Sequence, residues 1–428
     1  MRSSGSPLSL RGLAWILCSV LLLAKASPLH SAGLIRTLDG DSFSGRLVSI
    51  SPTWQIRFAT ESGERQLSLA NLVLFGEYQD DDDGPQLLLA DGGLLRADVL
   101  AISTDTISVE SRLWREASIP LDLVRAIVFI PPADARQRDA LYERISSSTG
   151  GEDQLFLANG DTIQGQLLPA NQGRLLSPDE SRLVNLRAAG RELSVSIESV
   201  SAIVFNPSLV QRPRPKIPHA AAGFTDGSLL HVESWRMAED DSITMSLAGG
   251  IALTLEPPPF TATGETAWSH ITMLQSVGTS VVYLSDLEAA SYKHIPLLDR
   301  EWPFRQDHCV SGGRLRVREL LYRRGIGMHA NSRLAYALGD QYQRFDAELA
   351  IDQSADEHGS VIFRVFVNDA SGQWQRAYES PVSRAGEAPI AMSVDVTGAR
   401  AMALIVDGAD RATVGDQADW LNARLIPR

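Results

Sequence analysis

Residues 324–330, Arg-Gly-Ile-Gly-Met-His-Ala, form a glycine-rich turn that leads into two alternating segments. Residues 334–338 read Leu-Ala-Tyr-Ala-Leu, and residues 345–352 read Phe-Asp-Ala-Glu-Leu-Ala-Ile-Asp. In the longer segment apolar side chains alternate with carboxylates, which is the two-residue period of a β-strand with one buried face. The turn and the segments after it therefore predict consecutive β-strands.

The same turn also matches the dinucleotide-binding pattern G-x-G-x-x-A at residues 325–330. That pattern binds phosphate only where a helix follows the glycines and an acidic residue comes about 20 positions later. Here a strand pattern follows and ends at Gly339-Asp340. The sequence therefore excludes a nucleotide site at this turn.

The C-terminal third contains four blocks: YLSDL (283–287), GIGMHA with Asn-Ser after it (325–332), the pair RFDAELAID and SVIFRVFVND (344–352 and 360–369), and DQADWLNARL (416–425). These blocks resemble the NPCBM family of carbohydrate-binding modules, in the family's order and at roughly its spacing. Members of that family are similar to galactose-binding β-sandwiches and often serve as accessory modules of secreted glycosidases. The resemblance covers residues 280–428 and implies nothing about the residues before them.

Four related segments precede this module. They begin LIRTLDGDSFSGRL (from 34), QLLLADGGLLRADVL (from 86), LFLANGDTIQGQLL (from 155) and AGFTDGSLLHVES (from 222). Each has an apolar strand before Asp-Gly or Asn-Gly, the strongest short hairpin signal. They predict β unit 1 (27–79), β unit 2 (85–132), β unit 3 (153–210) and β unit 4 (220–279), with a helical linker at 133–152 and a Pro-rich linker at 211–219. Since such short strands are marginal alone, we expect the units to pair or pack together.

The predicted fold class is therefore all-β: repeated small antiparallel units followed by a galactose-binding-like β-sandwich of the jelly-roll type. Strand patterns at 361–367, 392–396 and 402–406, separated by turns, favour an antiparallel sandwich over residues 280–428. The acidic run Asp80-Asp81-Asp82-Asp83 between units 1 and 2 predicts a solvated linker. It lacks the alternating carboxylates and the distal Glu of a calcium loop.

The first 26 residues read as a secretory signal peptide, with Arg2 and Arg11 before an apolar run from Leu13 to Leu23 and a small-residue cleavage pattern before Ser27. Its removal takes away three positive charges and changes the formal net charge from −13 to −16. Such a chain repels nucleic-acid phosphates and anionic membrane surfaces. We therefore expect a secreted, periplasmic or cell-envelope protein that binds no nucleic acid and inserts into no membrane after cleavage.

The resemblance implies a carbohydrate partner, with galactose-containing glycans as one candidate class, and ligand sites in loops at the ends of the sheets. The candidate sugar-binding residues are His329, Asn331, Trp374, Asp419, Trp420 and Asn422. His329 and Trp420 can equally serve the core or fix a turn, and Asp419 can accept backbone N–H bonds. Trp374 lies between polar residues and is the better candidate for an exposed stacking platform, with loop packing as its alternative.

Sandwiches of this kind also hold structural calcium, and Asp352 and Glu357 are the candidate ligands, although their spacing does not demand a metal ion. Cys309 is the one cysteine left after signal cleavage, and we expect its side chain to be buried like a small apolar residue. A single cysteine also excludes a multi-cysteine zinc site within one chain. The motifs HExxH, GxSxG and the P-loop are all missing from the sequence. A pair of glycosidase carboxylates remains open, because two acids can meet from distant positions.

The sequence predicts an exported, non-catalytic glycan-binding protein whose β units act as a spacer or contact another protein. Two alternatives stay open. One is a structural or interaction protein of the cell envelope without sugar affinity, and the other is an accessory part of a glycoside hydrolase.

Overall fold

The computed structural model describes residues 32–81, 83–169, 174–176, 183–258, 266–296, 301–369, 371–410 and 415–428. The predicted signal peptide lies outside the described residues. Antiparallel strands make up nearly all of the regular structure, and the described part of the chain contains one α-helix, α1 (Ala135–Ser147). The predicted all-β class is confirmed.

The strands of the first two units follow the hairpin signals of the sequence. Unit 1 consists of β1 (Gly33–Thr37), β2 (Ser42–Ile50), β3 (Gln55–Thr60), β4 (Gly63–Ser68) and β5 (Leu72–Gly76). Unit 2 consists of β6 (Gln86–Leu89), β7 (Leu94–Arg96), β8 (Asp98–Ser103), β9 (Thr106–Glu110), β10 (Ala117–Pro120) and β11 (Val124–Val128).

The third and fourth units have the same kind of strands, joined by the Pro-rich stretch. Unit 3 consists of β12 (Asp153–Leu157), β13 (Thr162–Leu167), β14 (Arg174–Leu176), β15 (Leu183–Ala188), β16 (Arg191–Ser196) and β17 (Val200–Val204). Unit 4 consists of β18 (His219–Phe224), β19 (Leu229–Met237), β20 (Ile243–Leu247), β21 (Ala252–Leu255) and β22 (Ile271–Val277). That the four units are repeats of one another stays a prediction.

The first hairpin of each unit turns at a glycine. Gly40, Gly92, Gly160 and Gly227 have φ values between 82° and 97°, a backbone conformation that glycine adopts without steric cost. The Asp-Gly and Asn-Gly dipeptides of the sequence therefore sit where the chain has to reverse.

The closing strands of the units pair with one another. Strand β11 of unit 2 pairs with β17 of unit 3 around Ile127 and Ile203, and β5 of unit 1 pairs with β22 of unit 4 around Phe75 and Leu274. One hydrophobic core runs through all four units, and we call them together the arm. The outer face of the β11–β17 pair is covered by helix α1, through Ile145.

Residues 282–427 form a β-sandwich, here called the module. Its strands are β23 (Val282–Tyr283), β24 (Ser291–His294), β25 (Arg305–Gln306), β26 (Leu315–Val317), β27 (Leu320–Tyr322), β28 (Gly325–His329), β29 (Ser332–Ala337), β30 (Tyr342–Ile351), β31 (Ser360–Asn368), β32 (Trp374–Glu379), β33 (Ser383–Arg384), β34 (Ile390–Asp395), β35 (Ala401–Gly408) and β36 (Gln417–Pro427).

The module has two main sheets. The first has the order β25-β28-β36-β30-β34, with β23 on β36, and the second has the order β24-β29-β35-β31-β32, with β33 on β31. Alternate side chains of both sheets meet in one core, which includes Ile326, Phe345, Phe363 and Trp420. Strands β26 and β27 form a separate hairpin that reaches the arm.

The arm and the module meet at a buried group of ion pairs around Asp80. The Asp80 carboxylate accepts from Arg138 of α1 at 3.0 Å and from Arg316 of β26 at 2.7 Å, and Arg314 donates both to Asp80 and to Asp139. Burial by itself raises the pKa of Asp80, but the hydrogen bonds and charges of the three arginines outweigh it and hold this pKa well below its usual range. We call these five residues the ion cluster. The prediction of a solvated linker is therefore wrong at Asp80, because three guanidinium groups replace its water.

None of the helical segments in the described part of the chain has the length and the apolar character that a membrane crossing requires.

Candidate functional site

His329 ends strand β28 at one end of the first sheet. Ile326 and Met328 of this strand point into the core, so His329 points to the other face by the two-residue period of a strand. The chain turns directly afterwards at Asn331, whose φ is 60°, and the Asn331 carbonyl accepts from the Ile295 N–H at 2.9 Å. This bond ties the turn to the segment that follows β24.

Three rings meet at this end of the module. Trp302 stacks on His329, with ring centroids 5.1 Å apart and planes 8° apart, and His294 meets His329 edge to face at 5.7 Å. The backbone N–H of Trp302 donates to His294 Nδ1 at 3.2 Å, and the Tyr292 hydroxyl donates to the Trp302 backbone carbonyl. We call His294, Trp302 and His329 the aromatic cluster.

The chemistry of the aromatic cluster suits a polyhydroxylated ring. The half-buried indole of Trp302 offers an apolar face to sugar C–H groups, and His329, which is only 7% exposed, supports that ring from beneath. Burial lowers the pKa of His294. Because its Nδ1 accepts from the backbone N–H of Trp302, the neutral ring carries its proton on Nε2.

A carboxyl group lies near the same end. The Asp416 carbonyl accepts from the Ala330 N–H at 3.1 Å, and its carboxyl Oδ1 accepts from the Ser360 N–H at 2.8 Å. The other carboxyl oxygen has no hydrogen-bond partner among the described residues. Burial raises the pKa of Asp416 to about 6.

Trp374 lies at the opposite end of the sandwich from His329. Strand β29 begins three residues after His329, and its far end, Ala337, pairs with Ala401, which pairs with Asn368. Trp374 pairs with Asn368 on the edge strand β32 and is 48% exposed. It therefore presents an open ring face, but the structure does not bring it together with His329 and Asn331.

The expectation that the three C-terminal candidates bind sugar is corrected by the structure, which buries all three in β36. Trp420 is 0% exposed and packs edge to face on Phe363 in the core. Asn422 is buried against the arm, where its Oδ1 accepts from Gln275 at 3.4 Å. None of these positions offers a sugar a surface, so Trp420, Asn422 and their neighbour Asp419 leave the proposed site.

Asp419 is a buried acid rather than a ligand on a loop. Burial and the neighbouring Asp352 carboxylate raise the pKa of Asp419 well above its ordinary value. The Asp352 carboxylate accepts from the backbone N–H groups of Arg316 and Ser354, at 3.0 and 2.8 Å. The pair thus helps to fix the chain at the base of the β26–β27 hairpin.

The calcium ligands expected from the sequence lie in different surroundings. Asp352 is buried, whereas the Glu357 side chain is 85% exposed and faces His358 at 3.8 Å. No group of three or more His, Cys, Asp or Glu residues within the described ranges has an arrangement that could hold a metal ion. Cys309 is a buried free thiol, as expected, and burial raises its pKa to about 11.

Sequence reasoning missed Trp302 and His294. Trp302 is one of three tryptophans in residues 280–428, beside Trp374 and Trp420, and it lies between Glu301 and Pro303. A tryptophan between a charged residue and a proline, outside any alternating strand pattern, is a usable signal for a ring on a loop. His294 gave no comparable signal, because it ends an ordinary strand.

Comparison with known families identifies the module. Residues 280–426 match the sequence profile of the family described as NPCBM/NEW2 domain, which confirms the resemblance carried by the four sequence blocks. A protein of Renibacterium salmoninarum, provisionally named endo-alpha-N-acetylgalactosaminidase, is 26% identical over 223 residues. The alignment covers 49% of this chain and only 14% of that protein.

Two solved structures from Clostridium perfringens are similar. A CBM51 module of GH95 in complex with methyl-galactose is 24% identical, with a TM-score of 0.30, over 34% of this chain and 99% of that one. The CBM51-2 and INT domains of ZmpB, in complex with GlcNAc, are also 24% identical with a TM-score of 0.30, over 47% of this chain and 41% of that one. At these TM-scores the likenesses carry no argument about the ligand of this chain.

Proposed function

We propose that this protein is exported and binds carbohydrate, without catalysing a reaction, through the aromatic cluster of its module. The observation that carries the proposal is the stack of Trp302 on His329 at the loop end of a domain that matches the NPCBM family. An aromatic ring face with polar side chains beside it is a combination that suits a pyranose.

The arm has a supporting role in this proposal. Its shared core and the ion cluster fix the module to a rigid base rather than to a loose tether. The β units would thereby present the aromatic cluster at a set distance from the surface or protein partner that the arm contacts.

A structural or interaction protein of the envelope is the second candidate function. It is favoured by the burial of Asn422 at the junction with the arm, since a module surface used for packing is lost to ligands. The third reading, an accessory part of a glycoside hydrolase, draws on the name of the Renibacterium relative. All three readings make different predictions for binding by the purified protein.

The test is a glycan array, followed by titration of the positive glycans, on the chain from residue 27 onwards with and without calcium. We expect Trp302→Ala and His329→Ala to weaken binding by about tenfold or more, the factor that corresponds to about 1.4 kcal/mol, because each removes one wall of the stack. Trp374→Ala is the matched control, since it also removes a tryptophan of the module but at the other end.

Loss of binding in Trp374→Ala, with the two cluster variants unchanged, would move the site to the β31–β32 hairpin. Absence of binding to every glycan by the folded protein would favour the structural function. Release of a shortened sugar during the titration would favour the hydrolase reading.

A further inference from the structure

Four polar side chains form a hydrogen-bonded chain where unit 4 meets the module. His219 of β18 and His231 of β19 face each other, with His219 Nε2 3.1 Å from His231 Nδ1. His231 Nε2 lies 3.4 Å from Nη2 of Arg323, which precedes β28 of the module. Arg323 Nη1 donates to Gln275 Oε1 at 2.7 Å, and His219 Nδ1 lies 3.1 Å from the Lys216 carbonyl oxygen.

The chemistry of arginine gives this chain one direction. A guanidinium can only donate, so His231 Nε2 must accept and the proton of neutral His231 is on Nδ1. That N–H donates to His219 Nε2, which places the His219 proton on Nδ1, where it meets the Lys216 carbonyl. Every donor therefore meets an acceptor from Arg323 to Lys216, provided that both imidazoles are neutral.

Uptake of a single proton breaks the chain at one place. If His231 takes the proton, its Nε2 becomes an N–H that faces the N–H of Arg323. If His219 takes it, His219 Nε2 must donate to His231 Nδ1, and the His231 proton moves to Nε2 and faces Arg323 again. In both cases two donors meet at the contact between the arm and the module, and the added positive charge lies on the histidine pair close to Arg323.

The charged groups around the pair and Arg323 come from four parts of the chain. The Pro-rich linker contributes Lys216, unit 4 contributes Glu233, and the module contributes Arg323 and Arg324. The first turn of unit 2 contributes Asp91, which interacts with Arg323 and Glu233. Arg323 itself is faced by Tyr78 of the arm and by Tyr283 and Asp307 of the module.

The balance of these groups favours neutral imidazoles. Burial, followed by the charge of Arg323, lowers the pKa of His231 to about 2, and burial also lowers the pKa of His219. Burial lowers the pKa of Arg323 to about 10, so the arginine remains charged at neutral pH.

We propose that the chain from His219 through His231 to Arg323 is a pH-sensitive latch between unit 4 and the module, closed when both imidazoles are neutral and opened when the pair takes up a proton. This inference does not depend on sugar binding. The latch would let acid loosen the module at this end of its junction, while the ion cluster, which contains no histidine, continues to hold the other.

The pH window follows from the direction of the shift. An imidazole released into water titrates near pH 6.5, whereas the closed latch excludes the proton. The contribution of the latch is therefore complete above about pH 6.5 and is lost as the pH falls below it. Each pH unit below this value lowers the equilibrium constant for closure by about tenfold for each histidine that the latch keeps neutral.

The experiment measures urea unfolding of the chain from residue 27 onwards at pH 7.5, 6.5 and 5.5, in the wild type and four variants. We expect the wild type to lose stability, relative to a variant whose latch cannot titrate, as the pH falls. The double variant His219→Gln with His231→Gln keeps donors and acceptors but cannot titrate, so its pH slope should be shallower. The pH slope of Arg323→Gln should also be shallower than that of the wild type, because the amide oxygen of the glutamine can turn and accept from a protonated His231.

Two further variants separate the latch from ordinary burial of histidine. Arg323→Lys keeps an obligate donor with a positive charge, so we expect it to retain the steep slope, and His308→Gln changes an exposed histidine and should match the wild type. Amide hydrogen exchange, corrected for its intrinsic pH dependence, should show acid-induced loss of protection in β18, β19 and β23 of the wild type and not of Arg323→Gln. If Arg323→Gln keeps the full wild-type slope, the latch is overturned.

Discussion

At the scale of single residues, burial decides the role of each polar side chain. Trp374 and Trp420 are both tryptophans of the module, yet one offers a ring to solvent and the other is fully enclosed by the core. The same contrast separates Asp416, whose carboxyl is enclosed at the loop end, from Glu357, whose carboxylate is in water. Chemical type alone therefore does not identify a binding residue in this protein.

Asp416 should make the stability of the module depend on pH. Its folded-state pKa of about 6 lies above the ordinary value of 3.8, so its stabilising contribution is complete below pH 3.8 and is lost as the pH rises through 6. We expect Asp416→Asn, which cannot ionise, to gain about 1 kcal/mol relative to the wild type between pH 4.5 and 7.5, a figure reduced from the full shift for solvent screening. Urea unfolding at both pH values measures the difference.

Glu357→Gln is the control for this prediction, because it neutralises an exposed carboxylate of the same domain. Its stability relative to the wild type should not vary with pH. A pH-independent effect of Asp416→Asn would show that the carboxyl of Asp416 ionises in the folded protein as readily as in the unfolded one.

At the scale of elements, the linker between units 1 and 2 fixes three parts of the fold to one another. Asp80, directly after unit 1, binds Arg138 of α1 and Arg316 of β26, so one carboxylate joins the arm, the helix and the module. The linker continues into Asp83, whose side chain is 85% exposed and pairs with Arg96 at 2.8 Å. Asp80 and Asp83 thus differ in exposure, because Asp80 lies between packed elements and Asp83 does not.

Asp80→Asn should be strongly destabilising. The substitution removes the negative charge from three arginines that remain in place, and a buried charge without its partner costs about 3–5 kcal/mol. Asp83→Asn removes an exposed partner of Arg96 and should cost about 0–1 kcal/mol. Chemical unfolding measures the loss of unfolding free energy in both variants. Equal, small losses would mean that water hydrates the three arginines once the Asp80 charge is removed.

At the scale of the whole molecule, the units of the arm share one core. Trp235 of unit 4 meets Trp54 of unit 1 at 6.3 Å and Trp268 of unit 4 at 5.7 Å, and the closing strands join units 2 and 3 in the same way that they join units 1 and 4. A unit of five or six short strands cannot bury enough apolar surface by itself, and this sharing supplies the rest.

Trp235→Ala should therefore weaken more than one unit. We expect a loss of about 3–5 kcal/mol, typical of removing a large core side chain, with hydrogen exchange protection lost in β3 of unit 1 as well as in β22 of unit 4. Met237→Ala, on the same strand but exposed, is the control and should leave both protected. Loss of protection confined to unit 4 would contradict a shared core.

The sequence by itself determined the local structure of this protein. Alternating apolar residues and Asp-Gly or Asn-Gly turns are local signals, so the all-β class and the hairpin turns at Gly40 and Gly227 could be predicted without any knowledge of distant contacts. The family resemblance of residues 280–426 was equally visible, because its blocks are short stretches of consecutive residues.

Only the tertiary structure decided which polar side chains meet, because contacts between distant residues leave no periodic trace in the sequence. It joined Trp302 to His329 across a loop, placed Trp374 at the opposite end, and enclosed Trp420. It also brought Asp80 to Arg316, and His231 to Arg323, from positions far apart in the chain. The exposure of a side chain and the charge beside it depend on this packing, and with them the candidate site, the ion cluster and the latch.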